Sequence, residues 1–149
     1  MEEKLFTGYS HTGIYVTDRE KAIEFYVDVL DFDLLFRVDN ESDGLLIAML
    51  QLGDCFIEVL ETPAEVGVLP SQCARENIIP SANSTSNHVA ITVTDIEKAM
   101  EKVRSFGYEF EDRGVYHVPN FGSDKLDLNV SFFRGPNGER IELFQKIEK

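Results

Sequence analysis

Four side chains of types that commonly bind metal ions stand at matching places in two similar halves of the chain. His11 and His88 each open an apolar, strand-like segment, and Glu58 and Glu142 each lie in the middle of another. Imidazole nitrogens and carboxylate oxygens are suitable ligands for a first-row divalent ion, and such a set leaves octahedral positions open for water or substrate. The sequence therefore predicts that these residues bind one divalent metal ion.

An internal repeat supports this prediction. The segment SHTGIYVTDREKAIEFY, from Ser10 to Tyr26, matches NHVAITVTDIEKAMEKV, from Asn87 to Val103, without a gap, and CFIEVLE matches ERIELFQ around the two glutamates. Two copies of one supersecondary unit predict a duplicated fold. A single strand histidine or glutamate more often has a structural role, so the metal prediction depends on the matched pattern of all four residues.

The two glutamates need a partner. A carboxylate in an apolar strand costs free energy unless a cation or a hydrogen-bond donor meets it. A metal ion would be such a cation, and Arg140 or Arg113 is the alternative that the sequence leaves open.

Each half is predicted to fold as a strand, a helix and three further strands, because residue alternation gives way to helical spacing and then returns. In the first strand the alternation places His11 and Tyr15 on the face opposite Val16. Capping boxes are expected to begin the helices, Thr17 with Glu20 and Thr94 with Glu97. The helices should end near Leu30 and at Gly107.

The predicted strand bounds follow from the same alternation and from the turn residues between the strands. They are Leu34–Val38, Leu45–Leu52 and Cys55–Glu61 in the first half, and Asn87–Val93, Tyr108–Arg113, Leu126–Arg134 and Glu139–Lys146 in the second. Two stretches, Thr62–Ser86 and Gly114–Lys125, are predicted to be irregular, the first as a linker between the halves or a lid over a site.

Composition limits the function classes. A chain of 149 residues with 43% hydrophobic residues can bury one core, and a net charge of −13 argues against nucleic acid and anionic membranes as partners. No apolar run approaches the length of a membrane span, and the first residues do not form a signal peptide, so a cytoplasmic protein is expected. Cys55 and Cys73 lack the spacing of a thiolate zinc site or a redox pair.

The chain resembles the vicinal oxygen chelate superfamily, and within it the branch of glyoxalase I (lactoylglutathione lyase) and methylmalonyl-CoA epimerase. The resemblance is carried by HTGIYVTDREKAIEFYVDVLDF, FIEVLE, NHVAITVTDIEKA and FFRGPNGERIELFQ. It implies an α+β fold of two βαβββ modules that form a half-barrel cup of the glyoxalase/bleomycin-resistance type around one metal. The expected organisation is a single domain over 1–149, with module one at about 8–61, a linker at about 62–86 and module two at about 87–146. A homodimer is implied because many relatives build the cup across two subunits.

The resemblance also implies a mechanism. His11, Glu58, His88 and Glu142 would hold the metal, which chelates neighbouring substrate oxygens and stabilises the enediolate formed when the adjacent C–H proton is removed. By its position in the motif Glu142 would be the base, with Glu58 as ligand and second proton carrier. Nickel, cobalt, zinc, manganese and iron all accept this donor set, and nickel or zinc is favoured.

The sequence departs from short bacterial glyoxalases at two places. They carry arginine four residues after the first ligand histidine, where Tyr15 stands, and asparagine shortly after the second ligand, where Thr62 stands. Glutathione is therefore not implied as the carrier thiol. The epimerase branch commonly has glutamine where Glu58 stands, so a glyoxalase I-like isomerase acting on a hemithioacetal or related α-oxygenated substrate is favoured over an epimerase.

Two alternatives belong to other classes. A non-haem iron(II) dioxygenase would use His11, His88 and Glu142, with Glu58 as a bystander, but such relatives usually carry a second, duplicated domain. A metal-free binding protein of the bleomycin-resistance type usually lacks the ligand set, so the intact positions argue against it.

Candidate substrate-binding residues are Tyr15, Asn129, Ser131 and Arg140. Alternation puts Asn129 and Ser131 on one face of the strand Leu126–Arg134. That face is expected either to line the cup near Glu142 or to meet solvent at the rim of the sheet.

Overall fold

The computed structural model describes residues 5, 9–39, 44, 46–61, 88–111 and 114–149. The chain divides into two compact units, Met1–Val68 and Leu69–Lys149. The stretch predicted as a linker or lid, and the turn at 40–43, lie outside the described residues. None of the helices within the described ranges is long and apolar enough to cross a membrane.

The described residues of the first unit form a four-stranded sheet, an α-helix and a π-helical turn. Its elements are β1 (Thr12–Val16), α1 (Arg19–Glu24), a π-helical turn (Phe25–Val29), β2 (Asp33–Asp39), β3 (Leu46–Leu52) and β4 (Cys55–Glu61). The strand order is β1-β4-β3-β2, with β1 parallel to β4 and the other pairs antiparallel. Val16, Ala48 and Val59 are fully buried, as are Ala22 of α1 and Tyr26 of the π-helical turn.

The second unit has the same plan. Its elements are β5 (Val89–Thr92), α2 (Ile96–Ser105), β6 (Tyr116–Val118), β7 (Leu126–Arg134) and β8 (Arg140–Glu148). The strand order is β5-β8-β7-β6, with β5 parallel to β8. The predicted α+β architecture of two strand–helix–three-strand modules is confirmed.

The predicted alternation of β1 is also confirmed. Val16 is fully buried, whereas Tyr15 is 63% exposed on the other face. The chain between the parallel strands β1 and β4 passes through α1, β2 and β3, and α1 packs on β3 and β4, so it covers one side of the sheet. The other face of the first unit is therefore the one that carries His11 and Tyr15.

The helix starts differ from the predicted capping boxes by one residue. The N-caps are Asp18 and Asp95, whose side chains accept hydrogen bonds from the backbone N–H of Lys21 and Lys98 at 3.0 and 3.1 Å. The prediction of Thr17 and Thr94 as N-caps is wrong because a Thr-Asp pair offers two competent capping residues in succession. In both units the carboxylate is used, and it also opposes the positive end of the helix dipole.

The second strand of the second unit lies later than predicted. Phe110 makes only an isolated bridge to Phe133, and the strand that pairs with β7 is β6, inside the stretch predicted to be irregular. Tyr116 and Val118 alternate towards the apolar cluster of Leu128 and Val130. A three-residue strand is too short to show this alternation clearly in the sequence.

The capping difference gives a direct test. Asp95→Ala should lower the free energy of unfolding by about 1 kcal/mol, since one N–H of the first turn of α2 loses its acceptor. Thr94→Ala should change it by less than about 0.5 kcal/mol. Urea denaturation of both variants measures the difference, and an equal loss in Thr94→Ala would contradict the assignment of Asp95 as the cap.

Candidate metal centre

The first unit brings His11 and Glu58 together. In the parallel register Gly13 lies beside Glu58, so the residue just before β1 reaches the same face of the sheet. His11 Nε2 is 3.6 Å from Glu58 Oε2, and Ser10 Oγ lies 2.8 Å from His11 Nδ1. A Cβ at Gly13 would lie 3.2 Å from Leu60 Cδ1 and 3.9 Å from Glu58 Oε1, so the glycine keeps space open beside the carboxylate.

The second unit brings His88 and Glu142 together in the same way. Ala90 lies beside Glu142 in the parallel register of β5 and β8, and His88 Nε2 is 2.8 Å from Glu142 Oε2. Glu142 is buried, and this burial raises the pKa of its carboxyl, although the charges of His88 and Arg140 oppose the rise. The imidazole of His88 therefore contacts a carboxylate whose charged form is destabilised by burial.

Each pair fits two neighbouring ligand positions on a divalent ion. Ligand atoms at about 2.1 Å from a metal and at a right angle to each other are about 3 Å apart, close to the separations of 2.8 and 3.6 Å in the two units. Within the described residues of either unit, no group of three or more His, Cys, Asp and Glu side chains is placed to hold a metal ion. Neither pair alone therefore supplies a complete ligand set, and binding of one ion by all four residues stays a prediction.

Arg140 has a different carboxylate partner from the one that the sequence left open. Its buried guanidinium makes a bidentate ion pair with Glu111, with Nε–Oε1 and Nη2–Oε2 distances of 2.9 Å. The guanidinium carbon lies 3.8 Å from the centroid of the Phe132 ring. The hydrogen bonds from Arg140 hold the pKa of Glu111 below its usual value. Arg113, the other candidate, lies outside the described residues.

The four candidate substrate-binding residues are placed differently from one another. Tyr15 lies on the face of Glu58 and is exposed. Asn129 and Ser131 lie on the face of β7 opposite to Glu142, because Glu142 pairs with Phe132. Ser131 is fully buried and donates to the Gly114 carbonyl at 2.7 Å, and Asn129 Oδ1 lies 3.0 Å from His117 Nδ1. Of the two expected positions for Asn129 and Ser131, the register excludes the one beside Glu142.

The side chains of β7 opposite and next to Glu142 are apolar. Leu128, Val130 and Phe132 form a buried cluster on β7, and four partly buried side chains pack against it: Tyr116, Val118, Leu126 and Phe144. The hairpin register puts Arg134 opposite Arg140 and hence Phe132 opposite Glu142. The sequence gives no clear signal of this register, because a turn of only the four residues 135–138 would put Phe132 on the other face. Glu142 thus stands next to an apolar surface in its own unit.

Comparisons with known proteins agree with this fold. The family model described as "Glyoxalase/Bleomycin resistance protein/Dioxygenase superfamily" matches residues 8–143. A protein of Neisseria meningitidis serogroup A named lactoylglutathione lyase is 29% identical over 137 residues, which cover 91% of this chain and 88% of that protein.

Solved structures give the same fold at lower identity. A glyoxalase family protein from Enterococcus faecalis superposes with a TM-score of 0.71 at 23% identity, covering 95% of this chain and 99% of the other. A fosfomycin resistance protein, FosX, from Listeria monocytogenes, solved with Mn(II) and sulfate, has a TM-score of 0.64 at 14% identity, covering 95% and 93%. At these identities the likeness is one of fold.

The ion pair beneath Phe132 gives a pH-dependent prediction. Glu111→Gln should lower the free energy of unfolding at pH 7 by roughly 1 to 3 kcal/mol, because the buried Arg140 loses a charged acceptor. Since the folded pKa of Glu111 is lowered, this contribution is complete above the ordinary value of 4.5 and is lost as the pH falls through the folded value. The difference between wild type and variant should therefore shrink in acid.

Chemical denaturation between pH 7 and pH 3 measures this effect. Glu109→Gln, a change of the same kind at an exposed neighbouring position, is the matched control and should show little difference at any pH. A deficit in Glu111→Gln that stays constant down to pH 3 would argue against the ion pair as its cause.

Proposed function

Because this chain belongs to the glyoxalase/bleomycin resistance protein/dioxygenase superfamily, we propose that it is a divalent-metal-dependent enzyme of the glyoxalase I type. The reaction is a proton transfer between neighbouring carbons of a hemithioacetal or related α-oxygenated substrate. The relative from Neisseria meningitidis that carries the name lactoylglutathione lyase supports this choice. Proteins of this superfamily bind small-molecule substrates and often form dimers, and we propose a homodimer here as well.

The observation that carries the proposal is the recurrence of one His–Glu pair at the same register position in both units. His11 lies 3.6 Å from Glu58, and His88 lies 2.8 Å from Glu142. We propose that the four side chains bind one divalent ion. A bound ion would supply positive charge that stabilises the negative charge developing on the substrate oxygens.

Glu142 is the proposed general base. Its carboxylate is buried on the same face as Phe132 and Val130, and a carboxylate in such apolar surroundings is a stronger base than one in solution. His88 holds one carboxylate oxygen at 2.8 Å. Glu142 then gives this proton to the neighbouring carbon of the substrate, so its carboxylate is ionised again at the end of the cycle. Glu58, which is more exposed, is proposed as a second proton carrier.

An activity screen tests the proposal. Metal-free protein is loaded separately with nickel, cobalt, zinc, manganese or iron(II), and each sample is assayed for hemithioacetal isomerisation and for methylmalonyl-CoA epimerisation. Isomerisation in at least one metal form supports the proposal. Epimerisation alone would favour the epimerase, and a protein that takes up none of these metals would favour a metal-free binding function.

Replacement of the proposed base should separate catalysis from folding. Glu142→Gln should lower kcat by at least about 100-fold, because the amide cannot accept the substrate proton, while the shape of the side chain is kept. Glu148→Gln, at an exposed position on the same strand, is the matched control and should keep wild-type turnover. Circular dichroism checks the fold, and full activity in Glu142→Gln would remove the assignment.

Replacement of a proposed ligand should lower the metal content. His88→Ala should lose most of the bound metal after dialysis, because one imidazole ligand is removed from the set. His117→Ala is the matched control, since His117 contacts Asp127 and Asn129 instead. Elemental analysis of dialysed protein measures the occupancy, and equal occupancy in the two variants would contradict ligation by His88.

A further inference from the structure

A buried cation lies beneath the aromatic ring that contacts His88. Arg140 is two residues before Glu142 on β8, so both side chains emerge from the same face of the strand. Arg140 is only 5% exposed, and its guanidinium carbon lies 3.8 Å from the centroid of Phe132. The bidentate ion pair with Glu111 fixes the plane of the guanidinium, because both of its hydrogen bonds must be satisfied together.

Phe132 in turn contacts the histidine. The centroids of the Phe132 and His88 rings are 5.7 Å apart and their planes meet at 89°, an edge-to-face arrangement. Tyr116 stacks on Phe132 at 6.0 Å with an angle of 25° between the planes. Phe132 is therefore held by a cation and by a second ring, and its freedom to rotate is small.

The contact with Phe132 restricts the orientation of the His88 imidazole. The residue stands just before β5, its side chain is 36% exposed, and its Nε2 must point towards Glu142 for the two groups to share one ion. A ring wall at a fixed angle restricts rotation of the imidazole. Partners behind the ligands of a metal commonly set ligand orientation in this way.

We propose that Arg140 is a positioning residue for His88, acting through Phe132 and anchored by Glu111. This inference rests on the proposed function, in which His88 is a metal ligand. It also explains why a buried charge is kept where an apolar side chain could fill the same volume at a lower desolvation cost. Phe132 and Arg140 form one unit in this role, so removal of either should have the same consequence for His88.

The test uses the full-length protein and cobalt(II) as the probe. Arg140→Met removes the cation and the ion pair at similar volume, and Phe132→Leu removes the ring but leaves the ion pair. Both variants should bind cobalt(II) 10–100-fold more weakly than wild type, the loss typical of residues behind a metal ligand. The double variant should bind no more weakly than Phe132→Leu alone, because the two residues act on His88 in series.

Two further variants separate positioning from stability. Arg104→Met removes another arginine that lies over an aromatic ring, 5.3 Å from the centroid of Phe110, and should keep wild-type affinity for cobalt(II). Arg140→Lys keeps a cation near Phe132 but loses the bidentate ion pair, and should recover part of the affinity.

A second readout needs no metal. In metal-free protein labelled at histidine, the His88 ring protons should show a ring-current shift from Phe132, and this shift should be reduced in Arg140→Met. Reduced stability in Arg140→Met with an unchanged His88 shift and unchanged cobalt(II) affinity would overturn the inference. If wild type binds neither cobalt(II) nor any other metal of the activity screen, but its His88 shift still depends on Arg140, the proposed function fails and the positioning role stands.

Discussion

In each unit the first strand pairs in parallel with the last, and this pairing determines where the ligand-type side chains stand. The register that sets Gly13 beside Glu58 also sets Ala90 beside Glu142. A parallel pair can form only if the chain crosses over between the strands, and in both units a helix with an aspartate cap begins this crossover. The helix covers one face of the sheet, so the histidine and the glutamate of each unit share the other face. Sheet order, helix placement and the two His–Glu pairs are thus consequences of one pairing rule.

The His–Glu pairs of the two units differ in exposure and in distance. The Glu58 side chain is 24% exposed and its imidazole partner is 3.6 Å away, whereas the Glu142 side chain is 11% exposed with its partner at 2.8 Å. The second carboxylate also lies near an ion-paired arginine and a buried apolar cluster within its own unit. The two carboxylates therefore differ in exposure and in the distance to their histidines. The two repeats can therefore supply the same types of metal ligand while their glutamates differ in basicity.

Residue alternation and turn residues predicted the bounds of several strands correctly. The bounds of β4 and β7 agree with the predicted ones, because alternation and glycine turns are visible within a few residues. Alternation left open whether Asn129 shares the face of Glu142, since it divides a strand into two sets without saying which set meets Glu142; the hairpin register decides this. The pairing of Arg140 with Glu111 was not foreseen, because the two residues are far apart in sequence and only the folded chain brings them together. Each His–Glu pair, in contrast, was foreseen from the repeat.

Gly13 and Ala90 occupy the same place in their units, one with no side chain and the other with a methyl group. Since a Cβ at Gly13 would lie 3.2 Å from Leu60 Cδ1, that methyl group is the difference between an open and a filled space beside the carboxylate. A duplicated gene can vary such a position in one copy while its twin stays unchanged. Such a substitution changes the space available to a ligand by a single carbon atom and leaves the backbone unchanged. Substrate preference can therefore change in small steps during evolution.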